Sequence, residues 1–423
     1  MQTILVTGCA GFIGSHVCEQ LLDLGYKVIG IDNFDDFYPR ELKEKNLSIF
    51  KERDRFLFLE LDLSEKGVFA QLKDSIDVVI HLAAKAGVLP SLKNPGAYIK
   101  ANITGTNHLL DFMVEKGIKK LLFASSSSVY GNSTKIPFCE TDEVNGPISP
   151  YAFTKRSCEL MNYSYHNLYD MDIINMRFFT VYGPRQRPDL AIHKFFKLIY
   201  DKQAIQQYGD GSSARDYTFV DDTVSGILGA LDYINSHKKV FEIVNLGNSS
   251  PVSLKELIAS IYESIGLASN IEQQDMKPGD VNITYANIEK AKAMTQERGH
   301  LDGLNEAERD TLYAQIGLGG LKYYLLKVDP KKRMLFNPEE SIDLTGNTGP
   351  FLQYAHARIS TLLEKANYQP APIAERMVLR PEEKEIVKQL AQFEVTLHEA
   401  AKGYSPALLA NYTYELVKLY NKF

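Results

Sequence analysis

The sequence predicts an α/β chain: a doubly wound parallel sheet with a small substrate lobe, followed by an all-α helical segment. Three observations carry that expectation. The first thirty residues read as strand, glycine-rich turn, amphipathic helix and second strand. Short apolar runs and helices then alternate to about residue 180, and beyond about residue 290 apolar residues recur at helical spacing. Strands that alternate with helices at this interval build a parallel sheet, with its site at the C-terminal ends of the strands.

The opening stretch is ILVTGCAGFIGSHVCEQLLDLGYKVIGID. Ile4, Leu5 and Val6 suit a strand buried on both faces, and Gly8, Gly11 and Gly14 follow with Gly-x-x-Gly-x-x-Gly spacing. Gly8 permits a tight turn, Gly11 lets backbone N–H groups approach a pyrophosphate, and Gly14 lets the helix pack close to the strand. Val28, Ile29 and Ile31 form the next strand, with Asp32 at its end. A carboxylate there bonds adenosine ribose hydroxyls and repels a 2'-phosphate, so the stretch predicts a site for NAD rather than NADP.

NFDDFYPRELKEKNL reads as a polar loop running into a charged helix, and FLFLELDL as a third strand ending at Asp62. Two readings of Asp62 stay open, one beside the adenine amino group and one as a solvated loop carboxylate. IDVVIHLAA, residues 76–84, is the fourth strand, and its trailing small residues suit a chain passing close to a cofactor. A helix is expected over 95–117, then a fifth strand, KKLLFASSSSVYG, that opens into Ser125 to Ser128. Ser149 caps the next helix and Pro150 starts it, which puts Tyr151 and Lys155 on one face of the first turns. Serines can merely end a strand, and a lone Tyr-x-x-x-Lys is usually helix surface; after a complete dinucleotide fold the trio points to chemistry. Oxidising a secondary alcohol requires its proton to leave as hydride departs to the nicotinamide. Tyrosine, with an ordinary pKa near 10, is a poor base at neutrality. A lysine ammonium and the positive nicotinamide favour the phenolate, while Ser126 holds the alcohol oxygen.

At 423 residues the chain has room for two or three domains, and 44% hydrophobic with 24% charged residues is ordinary soluble composition. A net charge of -6 supplies no basic field for nucleic acid or an anionic membrane. The four cysteines have neither metal-ligand spacing nor the density of a disulfide scaffold, so no metal and a reducing, cytoplasmic setting are expected. The first strand starts at once, leaving no room for a signal peptide, and no apolar run approaches the length of a membrane span.

The glycine triplet, HLAA, SSSSVYG and the Tyr-Lys pair resemble the extended short-chain dehydrogenase/reductase family, in its NAD-dependent epimerase/dehydratase branch with a Rossmann-like sheet. DNFDDFYP, KNPGAYIKANITGTNHLL, FFTVYGPRQRPD and GDGSSARDYTFVDD make residues 1 to about 290 most similar to the UDP-glucuronate 4-epimerase subfamily. The resemblance implies NAD as cofactor and, as partner, a UDP-sugar bearing a C6 carboxylate. It implies catalytic roles for Ser126, Tyr151 and Lys155. Cofactor contacts fall to Gly8, Gly11, Phe12, Ile13, Gly14, Asp32, Asn33, Asp62, Leu63, Ala83 and Lys155. Ser127, Ser128, Thr180 and Arg187 become the carboxylate-binding set and Arg215 a pyrophosphate ligand, since the guanidinium fork gives an anion two parallel bonds. An NAD-binding domain over 1–180 is then interleaved with a sugar-binding lobe over 181–290, and a homodimer is compatible with it. A UDP-glucuronate decarboxylase or other nucleotide-sugar dehydratase is the nearest rival, because a 4-keto uronate is a β-keto acid. Lys85 stands where the family usually has a neutral residue, and Leu89 where it has arginine.

From about residue 291 to Phe423, TQERGHLDGL, IGLGGLKYYLLKVDPKKRMLFNPEESIDLTGNTGPFLQYAHARI and SPALLANYTYELVKLYNKF resemble a class I arginyl-tRNA synthetase downstream of its catalytic site, in the anticodon-binding region. Ile386, Leu390, Phe393 and Leu397 recur at helical spacing. Ser405-Pro406 starts a helix with Leu408, Tyr412, Leu416, Leu419 and Tyr420 on one stripe, read as bundle core rather than RNA-stacking surface. VDPKKR is a small basic patch or a solvated turn. HIGH and KMSK signatures are missing, so aminoacylation is not expected, and tRNA is the less favoured partner. The epimerase pattern continues through TYANIEKAKAM, yet its closing helices do not follow and the synthetase-like bundle stops early. Two truncations meeting at one point favour an accidental join. Mismatched packing there costs several kcal/mol against a total of about 5 to 15. Two weakly coupled folding units and an impaired sugar lobe are the expected result.

Overall fold

A computed structural model describes residues 2–275, 281–296, 323, 326–327, 347–365 and 379–422. The chain divides into two compact units, Met1–His300 and Leu301–Phe423.

The first unit begins with β1 (Thr3–Thr7), α1 (Phe12–Asp23), β2 (Lys27–Asp32), α2 (Arg40–Ser48), β3 (Phe56–Glu60) and β4 (Val78–His81). α3 (Val88–Lys93), α4 (Pro95–Tyr98) and α5 (Gly105–Lys116) lead to β5 (Lys120–Ser126), α6 (Pro150–Tyr169) and β6 (Asp172–Phe178). A lobe then runs through β7 (Thr180–Tyr182), α7 (Ala191–Tyr200), β8 (Ile205–Tyr208) and β9 (Ala214–Phe219). α8 (Val220–Ser236) and β10 (Phe241–Leu246) return to the main sheet, before β11 (Pro251–Ser253), α9 (Leu254–Ile265), β12 (Ile271–Gln274) and α10 (Glu289–Gln296).

Seven parallel strands form the main sheet in the order β10-β6-β5-β4-β1-β2-β3. The expected doubly wound topology is therefore present. Side chains alternate across each strand. Ile4 and Val6 of β1 join one buried layer with Val17 and Leu21 of α1 and Val224 and Ile227 of α8. Leu5 joins the other, with Leu109 and Met113 of α5. Burial on both faces is why these strands read as continuous apolar runs. Chain order reverses between β1 and β4, and the crevice of such a sheet opens at that switch point.

Two boundaries differ from expectation. The helix expected over 95–117 is α4 and α5 joined by a π-helical turn, Ile99–Thr104. β3 stops at Glu60, so Asp62 lies in the loop beyond the strand. The lobe is built on a sheet in the order β11-β9-β7 and on the parallel pair β12-β8. Asp216 of β9, fully buried, fastens it: its carboxylate accepts the backbone N–H of Asn248, Ser249 and Ala286 at 2.9, 3.0 and 2.9 Å. α10 packs on α8 and β10, with Met294 buried and Lys290 Nζ 2.6 Å from Glu242 Oε2.

The second unit contains α11 (Gly349–Lys365), α12 (Pro381–Ala391), α13 (Phe393–Gly403) and α14 (Pro406–Lys422). The helical spacing of Ile386, Leu390, Phe393 and Leu397 runs over two helices, α12 and α13. The helix breaks at Gln392, which shifts the phase, and Leu390, Phe393 and Leu397 are exposed. On α14 Tyr412 is buried and its hydroxyl donates to Gln389 O at 2.8 Å, whereas Leu408 is exposed. VDPKKR lies outside the described residues. Among those described, no helix is long and apolar enough to cross a membrane.

Candidate active site

A cleft of about 470 Å³ opens at the switch point. Every site residue singled out from the sequence lines it, from Gly8 and Gly11 at one end to Thr180, Arg187 and Arg215 at the other. Gly8 adopts φ +75°, and a Cβ on Gly14 would stand 2.1 Å from Gly8 O. α1 starts at Phe12 with Gly11 before it and no side chain capping its N-terminus, which leaves room for an anion against the backbone. Asp32 is buried at the end of β2. Its carboxylate accepts Ala10 N–H at 3.2 Å and Phe34 N–H at 2.9 Å, and burial pushes its pKa up against the pull of Lys43 and those donors. Asp62 accepts from Ser64 N, Ser64 Oγ and Asn33 Nδ2 at 2.8, 2.6 and 3.1 Å; burial opposes its charge, but these bonds hold its pKa below the ordinary value. It lines the cleft rather than standing free on a loop.

Ser126 ends β5 and caps the short 3-10 turn Ser127–Tyr130; its Oγ accepts from Ser128 N and Ser128 Oγ at 3.2 and 2.8 Å. Ser149 Oγ accepts Ala152 N–H at 3.1 Å and so caps α6, whose first residue is Pro150, as the capping sequence requires. Tyr151 and Lys155 both reach the cleft. Burial raises the Tyr151 pKa, while a hydrogen bond with Ser126 and the charge of Arg187 lower it. The buried Lys155 donates to Ala124 O at 2.6 Å, and burial brings its pKa down to about 8.

Arg187 Nε and Nη2 donate to the two oxygens of Asp189 at 2.9 and 2.6 Å, and its guanidinium carbon lies 4.8 Å from the centre of the Phe37 ring. Lys85, the charged departure, donates to both oxygens of Asp35 at 2.7 Å. Asp35, Phe37, Tyr38 and Lys43 also line the cleft, and sequence reasoning missed them. Their signal was membership of the polar stretch directly after Asp32 and, for Lys43, of the charged helix α2 that follows it.

The fold and cleft together define an enzyme that works through a bound dinucleotide. The profile of the NAD dependent epimerase/dehydratase family matches residues 4–247, and the chain belongs to that family of NAD-dependent enzymes. The UDP-glucuronate 4-epimerase of Thermodesulfobacterium geofontis is 44% identical over 300 residues, which are 70% of this chain and 90% of that protein. The crystal structure of UDP-glucuronic acid 4-epimerase from Bacillus cereus, in complex with UDP-glucuronic acid and NAD, has a TM-score of 0.66 at 35% identity, covering 74% of this chain and 99% of that one. The dTDP-glucose 4,6-dehydratase DesIV of Streptomyces venezuelae has a TM-score of 0.65 at 27% identity, covering 74% and 97%. Residues 352–423 match the DALR anticodon binding domain.

Proposed function

We propose that the chain is an NAD-dependent 4-epimerase converting UDP-glucuronate to UDP-galacturonate. The observation that carries this is the gathering, in one cleft beside a phosphate loop, of Ser126, Tyr151 and Lys155 with Ser127, Ser128, Thr180 and Arg187. Similarity to proteins named UDP-glucuronate 4-epimerase supports it. The glycine loop, too tight for a Cβ at Gly14, and the buried Asp32 fit a dinucleotide. NAD, when bound, supplies the hydride acceptor and donor. Tyr151 takes the proton of the C4 hydroxyl and returns it to the epimeric oxygen, and Ser126 holds that oxygen at both stages. Lys155 keeps the strand end and the tyrosine helix in register. Ser127, Ser128, Thr180 and Arg187 hold the C6 carboxylate out of alignment with the C4 ketone, which prevents loss of CO2, and Arg215 binds the pyrophosphate. The test is incubation with UDP-glucuronate and resolution of the products: UDP-galacturonate is expected, and a UDP-pentose as main product would overturn the reading in favour of a decarboxylase.

The sugar-binding lobe of this proposal spans residues 181–290 and the helical segment 291–423. A homodimer is the proposed assembly, tested by sedimentation velocity. The anticodon-binding match favours a second reading in which the helical unit touches tRNA. Salt-dependent retardation of tRNA by the full chain would support it, and no retardation at low salt would end it.

A further inference from the structure

Glu159 lies one helical turn beyond Lys155 on α6 and has no part in the reaction as described. Its Oε1 accepts from Ser125 Oγ at 2.5 Å and Arg177 Nε at 2.9 Å; its Oε2 accepts from Arg177 Nη2 at 2.9 Å and Arg156 Nη1 at 3.0 Å. The Glu159 and Arg177 side chains are each 1% exposed. A carboxylate of α6, a hydroxyl of β5 and a guanidinium of β6 thus meet in the interior. Burying such a pair is a poor route to stability, since apolar residues of similar volume often serve as well. What the pair fixes is Ser125, which stands between the Ala124 carbonyl that receives Lys155 and the Ser126 hydroxyl.

We propose that Glu159 is a positioning residue: it locks the Ala124–Ser126 strand end against the helix of Tyr151 and Lys155, and it places a negative charge one turn from the lysine. The proposal rests on the roles given above to Ser126, Tyr151 and Lys155. The other groups facing Lys155 are Cys158 of its own helix and His81 of β4. Those facing Tyr151 are Ser126, Arg187 and Tyr98 of α4, whose ring centre is 6.3 Å away. Substituting Glu159 leaves all of them in place. Removing its charge favours the neutral lysine and the ionised phenol, so both groups titrate at lower pH.

The test is a phenolate absorbance titration of the protein as purified with its cofactor, with the Tyr151→Phe signal subtracted. Glu159→Gln is expected to move the midpoint down by about half a pH unit or more. Glu159→Asp keeps the charge and shortens the reach; its midpoint should stay near wild type while kcat falls roughly 10-fold with little change in KM. Should Glu159→Gln fail to fold, Glu159→Gln combined with Arg177→Met removes a negative and a positive charge together, so its midpoint should stay near wild type while kcat falls roughly 10-fold. An unmoved midpoint in Glu159→Gln, or wild-type kcat in Glu159→Asp or in the double variant, would overturn the proposal. The titration needs no substrate, so a wrong sugar assignment would leave its result readable.

Discussion

Lys155 Nζ donates to the carbonyl oxygen of Ala124 at 2.6 Å, joining the helix that carries Tyr151 to the strand whose tip carries Ser126. That bond holds a charge in an apolar layer, and burial lowers the lysine pKa from its ordinary 10.5 to about 8. The folded state therefore releases a proton that the unfolded chain keeps. The stability penalty is full below about pH 8 and fades as pH rises toward 10.5. Lys155→Met should remove it, at the loss of one hydrogen bond to Ala124, for a net gain of about 1 to 3 kcal/mol at pH 7. Thermal denaturation of the cofactor-free protein at pH 7 and pH 10 checks this, with the advantage of the variant shrinking at the higher pH while turnover is lost at both. A difference independent of pH would mean that the lysine is not held charged in the interior.

Tyr151→Phe should lower turnover by about 10³-fold while the same amount of NAD copurifies, because the ring stays and only the proton carrier is lost. Activity near wild type would remove Tyr151 from the reaction.

At Gly14 a new Cβ would stand 2.1 Å from Gly8 O and 2.8 Å from Gly8 C, both backbone atoms that no side-chain rotation can move aside. Gly14→Ala should cost about 3 kcal/mol or more and lower both Tm and bound NAD. An unchanged Tm with full NAD content would show that α1 does not press on the loop as described.

Asp32 is aimed by Ala10 N–H and Phe34 N–H, and the role proposed for its charge is to discriminate against a 2'-phosphate. Asp32→Ser should weaken NAD binding roughly 10-fold and narrow the preference over NADP, read by titrating cofactor-stripped protein with each dinucleotide.

The main sheet was legible because its inner strands are buried on both faces, so runs such as Ile4 to Val6 announce themselves without any partner. The tyrosine and lysine were legible for a similar reason: Ser149 and Pro150 set the helix start, and the spacing of four then fixes their common face. The lobe was not. β8 and β12 are four residues each, IQQY and IEQQ, with little apolar signal, and they pair across more than sixty residues. Glu159, Arg177 and Asp35 were equally silent, because a charged residue reads as surface until its buried partner is known. The phase break at Gln392 was hidden too, since no glycine or proline marks it.

The two compact units predict two calorimetric transitions and a protease-resistant fragment retaining α10, whose Met294 is buried against the first unit's core. One cooperative transition would instead indicate co-adapted halves.

The reaction itself is tested most directly by UDP-glucuronate carrying deuterium at C4. If Tyr151 handles only the hydroxyl proton and the carboxylate stays restrained by Arg187 and its neighbours, the product is UDP-galacturonate with deuterium retained at C4 and no CO2 released. Deuterium lost to water, or a UDP-pentose formed with CO2, would contradict it.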